Sequence, residues 1–488
     1  MKRQNTIQSL LVTLVICLPM PATSGCGGHR VPDLARVFSD ARKETGKRPI
    51  ILIPGVLNTA LVNAKTGETV WPSAFRSGYD DLNLPITGDP LKASDNLIAT
   101  KAIETVRFLP LTPRVNIMRD LLVALRSHVG YKEGDWENPT PDGDRDTFYT
   151  FTYDWRRDNV QLAQQLIEQT VALKKKLSRP DLRFNIVAVS MGGLIARYAA
   201  MYGNADLTPE NVPPQVTWAG AVHFEKILMF AVPNGGSMEA FATILNGYSY
   251  TEGPSKHRHL LNKLSREDAF SGPAIFQLMP HRQSVRFLDQ DLRPLQVDLY
   301  DPANWKLYGW SVANDPEFRS RFAVEEANDR VGNHSGVSVL DIHLAILLER
   351  SRLFHRALDV VSEGPAPVEL LAFVGDCDET LDAAILYRDK KTHRWVTMTA
   401  PEELRSSSGR KIPRKDVINA MYVPGDGRVT RSSVLAENLG GAASSQSPYR
   451  TILPIVHAFF GCGGHGDLHN SKIMQNNAFS LLVHQVMK

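Results

Sequence analysis

The chain has 488 residues, of which 43% are apolar and 22% charged, ordinary values for a globular protein with a sizeable core. A net charge of only +3 offers no basic field of the kind nucleic-acid binding needs, and no apolar run in the body of the chain reaches the roughly 18 residues that span a bilayer. By length alone about three domains would be expected, although large α/β enzymes often exceed that rule.

Residues 1–25 read as an export signal. Lys2 and Arg3 precede an apolar stretch over 10–18, too short for a membrane anchor, and Pro-Met-Pro-Ala-Thr-Ser-Gly-Cys follows. Ala22-Thr23-Ser24 fits a small-residue cleavage site. Ser24-Gly25-Cys26 resembles a bacterial lipobox, with Thr23 where Leu is usual, and would make Cys26 a lipidated first residue. The lipobox reading is preferred, which predicts a lipid-anchored envelope protein; the other predicts a secreted one. The four cysteines are Cys17, Cys26, Cys377 and Cys462. With Cys17 cleaved off and Cys26 acylated, Cys377 and Cys462 remain as a pair in an oxidising compartment.

Residues 26–47 are polar and read as a linker. PIILIPG over 49–55 is an apolar strand closed by a Pro-Gly turn, and 147–153 is a β-rich run leading into Asp154-Trp155-Arg156. Over 160–177, Leu162, Leu166, Leu173 and Leu177 recur at helical spacing, with Ile167 and Val171 beside them. Further strands are predicted over 184–189, 227–232, 368–374 and, as the last, 452–456. Strands alternating with helices imply an α/β fold, a mainly parallel sheet with helices on both faces. Between 237 and 363 the strand rhythm stops, and the many aromatic residues there, such as Tyr248, Trp305 and Trp310, predict a cap inserted over the site. The expected division is thus a core in two parts, 48–236 and 364–488, with the cap over 237–363.

FNIVAVSMGGLIARY, residues 184–198, is the most informative segment: a β-branched strand runs into Ser190, then small residues, then a helix. This is the pattern of a nucleophile elbow, with Ala188 where the first Gly of G-x-S-x-G is usual. A buried strand with Ser190 as a plain helix N-cap would give a similar pattern. A serine nucleophile needs an acid and a base, in the order Ser, Asp, His in this architecture. YVPGDGRVT, over 422–430, sets Asp426 on a tight turn, although Asp-Gly is also an ordinary turn pair; Asp376 and Asp378 are alternatives. GCGGHGDLHNS, over 461–471, presents His465 on a glycine-rich loop, with His469 and His457 as alternatives. His465 and His469 are four apart, but Gly466 weakens a helix there and no HExxH glutamate is present, so no metal is expected, nor any cofactor. Met191 and Val56 are expected to supply the two backbone N–H groups of an oxyanion hole. A Cys377–Cys462 bond would tie the end of the 368–374 strand to the histidine loop.

PIILIPGVLNTALVNAK, FTYDWR, AVSMGGLIARY, AVPNGGS, VPGDGRVT and GGHGDLHNS occur in the order seen in lecithin:cholesterol acyltransferases and their lysosomal phospholipase and phospholipid:diacylglycerol acyltransferase relatives, and from residue 49 onward the chain resembles that family. The resemblance implies an α/β-hydrolase fold with cap and lid segments, Ser190 as nucleophile, Asp426 as acid, His465 as base, and Val56 with Met191 as the oxyanion pair. It also implies cleavage of a glycerophospholipid acyl ester at a membrane surface, the acyl group passing to a sterol, a glyceride or water. Val189 stands where relatives often carry His, and Asn234 where Trp is frequent; these departures bear on the acyl pocket and head group, not on the triad. Trp71 in VWPSAF would correspond to a lid tryptophan, and Trp155 reads as packing. A secreted lipase with water as sole acceptor, or a non-catalytic lipid-binding lipoprotein, are the competing readings.

Overall fold

The computed structural model describes residues 31–73, 82–107, 114–249, 263–328, 338–362, 364–440, 444–445 and 447–483. Residues 1–25, read as an export signal, and Cys26 lie outside the described residues.

Runs of Ile, Leu, Val and Phe set the sheet. Strand β1 (Ile50–Ile53) is apolar at every position and wholly buried. Six more strands complete the sheet: β2 (Lys132–Glu133), β3 (Thr147–Thr150), β4 (Phe184–Val189), β5 (Phe224–Phe230), β6 (Glu369–Gly375) and β7 (Ile455–Gly461). Their order is β7-β6-β5-β4-β1-β3-β2, and every neighbouring pair is parallel. Successive side chains of a strand point to opposite faces, so the burial of all six residues of β4 means that both faces of the sheet are covered. The covering helices include α1 (Asn159–Lys176), which packs on α2 (Met191–Tyr202), in turn laid against β4 and β5. Every residue of α2 is buried. This is an α/β-hydrolase fold.

The last strand begins three residues later than 452–456 and runs on to Gly461. Pro454 has no N–H for a ladder, and the Ile455 N–H turns back to the Leu453 carbonyl, so pairing starts only after that turn. Within the stretch read as a linker, the short helix Leu34–Val37 buries Leu34, and Phe38 packs edge-on against Phe479.

Three segments around the sheet prepare the site. The first is a small antiparallel sheet of Thr59–Asn63, Thr69–Trp71 and Leu97–Ala102. Trp71 lies in it wholly buried, edge-on to Trp155, which differs from its reading as a lid residue. Its apolar ring is spent on packing, and its indole N–H on the Leu57 carbonyl at 2.8 Å. The second is α3 (Met238–Asn246), which follows β5 and starts beside the acid loop. The third is an excursion between β6 and the acid. The chain leaves β6 along Asp378–Leu381 and returns antiparallel along Tyr422–Gly425, which brings Asp426 back to the end of β6. Within that excursion, Ala384–Arg388 pairs with Phe287–Leu288, so segments on both sides of β6 in sequence share one four-stranded sheet. Helix α4 (Val339–Leu358) packs against α2.

Candidate active site

In a parallel sheet all strands end on the same edge, and ligand sites form there. The turn after β1, Ser190 after β4, the acid loop beside β6 and the histidine loop after β7 all lie at that edge.

Ser190 links β4 to α2 with φ 52° and ψ −124°, a backbone conformation that costs an L-residue about 1–3 kcal/mol and that surrounding packing must hold. Gly192 explains why the turn needs small residues. A Cβ at that position would sit 2.7 Å from the Ile53 and Pro54 carbonyl oxygens, so any side chain would push α2 off the end of β1. Ala188 does not disturb the elbow, because it lies inside β4, in register with Ile53 on one side and Met229 on the other.

The three residues picked from sequence meet. The Ser190 hydroxyl donates to His465 Nε2 at 2.9 Å, and His465 Nδ1–H donates to Asp426 Oδ2 at 2.9 Å. The Asp426 carboxylate is fully buried, and its other oxygen accepts from the Arg428 and Val429 N–H groups at 3.0 and 2.7 Å. Those bonds aim the carboxylate at the imidazole and leave Nε2 as the acceptor for the serine proton. Asp426 presses against Gly375 at the end of β6, where a Cβ would come 2.7 Å from Asp426 Cβ, so only glycine lets the acid loop close on the sheet.

None of the alternatives takes the place of His465 or Asp426, although His469 and Asp378 line the same cavity. His469 donates through Nε2 to the Ile117 carbonyl at 2.7 Å, and burial pushes its imidazole down to about 4. His457 is exposed on β7, and Asp378 is exposed at the cavity rim. Cys377 and Cys462 form a disulfide with Cα atoms 5.1 Å apart, joining the segment after β6 to the start of the histidine loop.

The turn after β1 is held from behind. The buried Tyr153 hydroxyl donates to the Pro54 carbonyl at 2.6 Å, and Trp71 holds the Leu57 carbonyl. Leu57 adopts φ 65°, so this short turn is itself a constrained conformation. Val56 lies between the two anchors, and Met191 is the first residue of α2. Among the described residues, neither the Val56 nor the Met191 N–H has a hydrogen-bond partner in the protein. The FTYDWR segment is therefore scaffolding for this turn: Tyr153 bonds Pro54, Trp155 Nε1 donates to the Thr59 carbonyl at 3.2 Å, and buried Arg156 pairs with Asp154 and Asp95.

A cavity of about 510 Å³ opens over the three residues, within the usual range for small-molecule sites. Its apolar wall includes Leu57, Ile117, Ala240, Leu264, Ile275 and Leu278. The wall also contains Tyr248, one of the aromatic residues expected in the cap, and Arg428 and Glu239, which the sequence reading passed over. Arg428 stands two residues after Asp426 in YVPGDGRVT, and a cation so close to the acid was the available signal.

No family model matches the chain, and no curated protein matches it. Among solved structures, it is similar to a Tle4–Tli4 complex at 14% identity and TM-score 0.49, covering 91% of this chain and 100% of that one. It is also similar to EstA from Clostridium botulinum (12% identity, TM-score 0.30, covering 91% and 88%) and to lipase 1 from Pelosinus fermentans (10% identity, TM-score 0.33, covering 91% and 100%).

Proposed function

We propose that the protein is a serine-dependent lipid acyl-ester hydrolase or acyltransferase that acts on glycerophospholipids. The observation that carries this reading is the unbroken chain of hydrogen bonds from Ser190 through His465 to Asp426 at the floor of a largely apolar cavity. Ser190 Oγ attacks the ester carbonyl while His465 Nε2 takes its proton, and Asp426 stabilises the imidazolium that forms. The carbonyl oxygen becomes an oxyanion, for which the N–H groups of Val56 and Met191, without a partner among the described residues, are the donors, each worth about 3 kcal/mol in the transition state. Collapse of the tetrahedral intermediate breaks the acyl–oxygen bond, and His465 returns the proton to the leaving alkoxide. An acceptor hydroxyl, from water, a sterol or a glyceride, then gives its proton to His465 and attacks the acyl carbon; the bond from that carbon to Ser190 Oγ breaks, and His465 returns the proton to Ser190.

The export signal supports action outside the cytoplasm, and acylation of Cys26 would hold the enzyme at its substrate, since two anchoring acyl chains suffice for stable attachment. The test is incubation of the protein with labelled phospholipid vesicles, with and without sterol or diacylglycerol, beside a Ser190→Ala variant. Acyl release or transfer by the native protein and its loss by several orders of magnitude in the variant are expected. Undiminished activity in the variant, or failure of a serine-reactive phosphonate to label Ser190, would sink the reading. Free fatty acid as sole product with every acceptor would make the enzyme a hydrolase only.

A further inference from the structure

Residues 388–415 hold nine Lys and Arg against three Asp and Glu, an excess of six positive charges where the whole chain carries a net +3. All nine cations are exposed. Folding gathers most of them on two hairpins of the excursion between β6 and Asp426. In the first, Ala384–Arg388 pairs antiparallel with Trp395–Met398, and the turn between them carries Lys390, Lys391 and Arg394. In the second, Leu404–Arg405 pairs with Lys411–Ile412 around a turn that ends at Arg410. The Lys390 ammonium donates to the Ser407 carbonyl at 3.4 Å, which sets the two turns side by side.

Two of the three acids are engaged within the hairpins. The Asp389 carboxylate accepts from the Lys391 and Thr392 N–H groups and from the Thr392 hydroxyl, and Glu403 pairs with Lys411 at 2.6 Å. Asp291 accepts from the Ser407 N–H and hydroxyl, which pins the second turn to the hairpin of Phe287–Leu288 and Pro294–Leu295. Among the described residues, the Lys391 and Arg394 side chains have neither a hydrogen bond nor an ion pair. Apolar surface adjoins this charge. Trp395, opposite Arg388 in the first hairpin, is 37% exposed; its ring meets Tyr308 edge-on at 5.0 Å, and Leu307 beside Tyr308 is 56% exposed.

We infer that the two hairpin tips dock the protein on an anionic lipid bilayer, the cations on head-group phosphates and Trp395 with Leu307 at the head-group level. Exposed tryptophan and leucine beside Lys and Arg suit the boundary between head groups and acyl chains, whereas a polyanion dissolved in water would leave Leu307 uncovered. The hairpins also belong to the reacting edge of the molecule. Their excursion starts at Asp378 on the cavity rim, and the Thr399 hydroxyl, just past Met398, accepts from the Asn246 side chain at 3.0 Å, at the end of the α3 helix whose first half lines the cavity. The inference rests on the substrate being a lipid ester held in a membrane, since docking there brings the cavity to its substrate.

The experiment measures cosedimentation with vesicles of the full chain carrying Ser190→Ala, which leaves the lipid intact, and Cys26→Ser, which removes any acyl anchor. Vesicles of equal parts phosphatidylglycerol and phosphatidylcholine should bind the protein, less so as salt is added, and vesicles of phosphatidylcholine alone should bind it far more weakly. Lys391→Gln/Arg394→Gln/Arg410→Gln should lower affinity for the anionic vesicles roughly 100-fold, about fivefold for each charge removed. Lys391→Arg, which keeps the charge, should bind as its parent does. With Ser190 restored, the triple variant should cleave soluble p-nitrophenyl butyrate at the native rate, which shows the fold intact. Equal binding to both vesicles, salt-insensitive binding or undiminished affinity in the triple variant overturns the docking surface, as does tighter binding to a DNA duplex than to the anionic vesicles at the same salt. Cleavage of p-nitrophenyl butyrate surviving in Ser190→Ala would instead overturn the underlying reading and leave the vesicle measurement untouched.

Discussion

His465 and Asp426 are joined twice: imidazole Nδ1–H donates to the carboxylate at 2.9 Å, and the His465 backbone N–H donates to the Asp426 carbonyl at 2.8 Å. The second bond fixes where the histidine loop lies, so the first needs only to fix the ring. Asp426→Asn should therefore preserve the loop and lose the tautomer. Turnover should drop about 10³- to 10⁴-fold with KM little changed, as steady-state ester hydrolysis would report. A loss below tenfold would mean that another group orients His465.

Tyr153 reaches the same chemistry from behind the sheet edge. Tyr153→Phe leaves the buried Pro54 carbonyl without its 2.6 Å donor, an omission worth about 1–3 kcal/mol. Because that carbonyl opens the turn carrying Val56, kcat should fall by roughly tenfold while KM holds, alongside a lower melting temperature. A variant that melts early yet turns over at the native rate would separate Tyr153 from the turn's function.

The disulfide closes a chain segment 85 residues long, for which loop entropy predicts up to about 4.5 kcal/mol of stabilisation. Cys377 precedes the strand that pairs beside Asp426, and Cys462 stands three residues before His465. Both cysteines are exposed, so a thiol reductant has access. Reduction should lower kcat of the native enzyme and leave the Cys377→Ser/Cys462→Ser double variant unaffected. Equal sensitivity of the two proteins would show that the reductant acts elsewhere.

Buried histidines give the fold an acid limit. Burial holds His469 and His223 down at about 4, the latter helped by Lys174, and lowers His343 and His355 as well. Each is neutral when folded and takes a proton when unfolded, where its pKa returns to about 6.5. The unfolded state thus binds more protons below about pH 6.5, and stability falls as pH drops from there towards 4. For His469 alone the loss is about 2 kcal/mol at pH 5. Denaturant unfolding at about pH 7.5 and about pH 5 should show this slope, shallower in His469→Gln; identical slopes would remove His469 from the account.

Much of the site could be read locally. The strand FNIVAV, the small residues around Ser190 and the helical face after it lie within fifteen consecutive positions, where side-chain period and residue size suffice. Asp426 and His465 could likewise be picked as an acid on a glycine turn and a histidine on a glycine loop. The extent of the last strand was harder, because Pro454 moves the start of pairing while Val, Ala and Phe continue it to Gly461. The scaffolding role of FTYDWR was hidden for a different reason. Tyr153 and Pro54 are 99 residues apart, and no local pattern marks a phenol as the partner of a particular carbonyl.

By itself, then, the sequence determined the alternation of buried strands and helices, the elbow, and the residue types available for acyl transfer, because those depend on short-range sterics and burial period. Only the tertiary structure decided which acid and which histidine reach Ser190, since the chain makes a long excursion between β6 and Asp426 and returns to Gly375 by an antiparallel pair that no spacing encodes. It also decided that Arg428 faces the same cavity as the serine, because that depends on how α3, Tyr248 and the acid loop pack together in space.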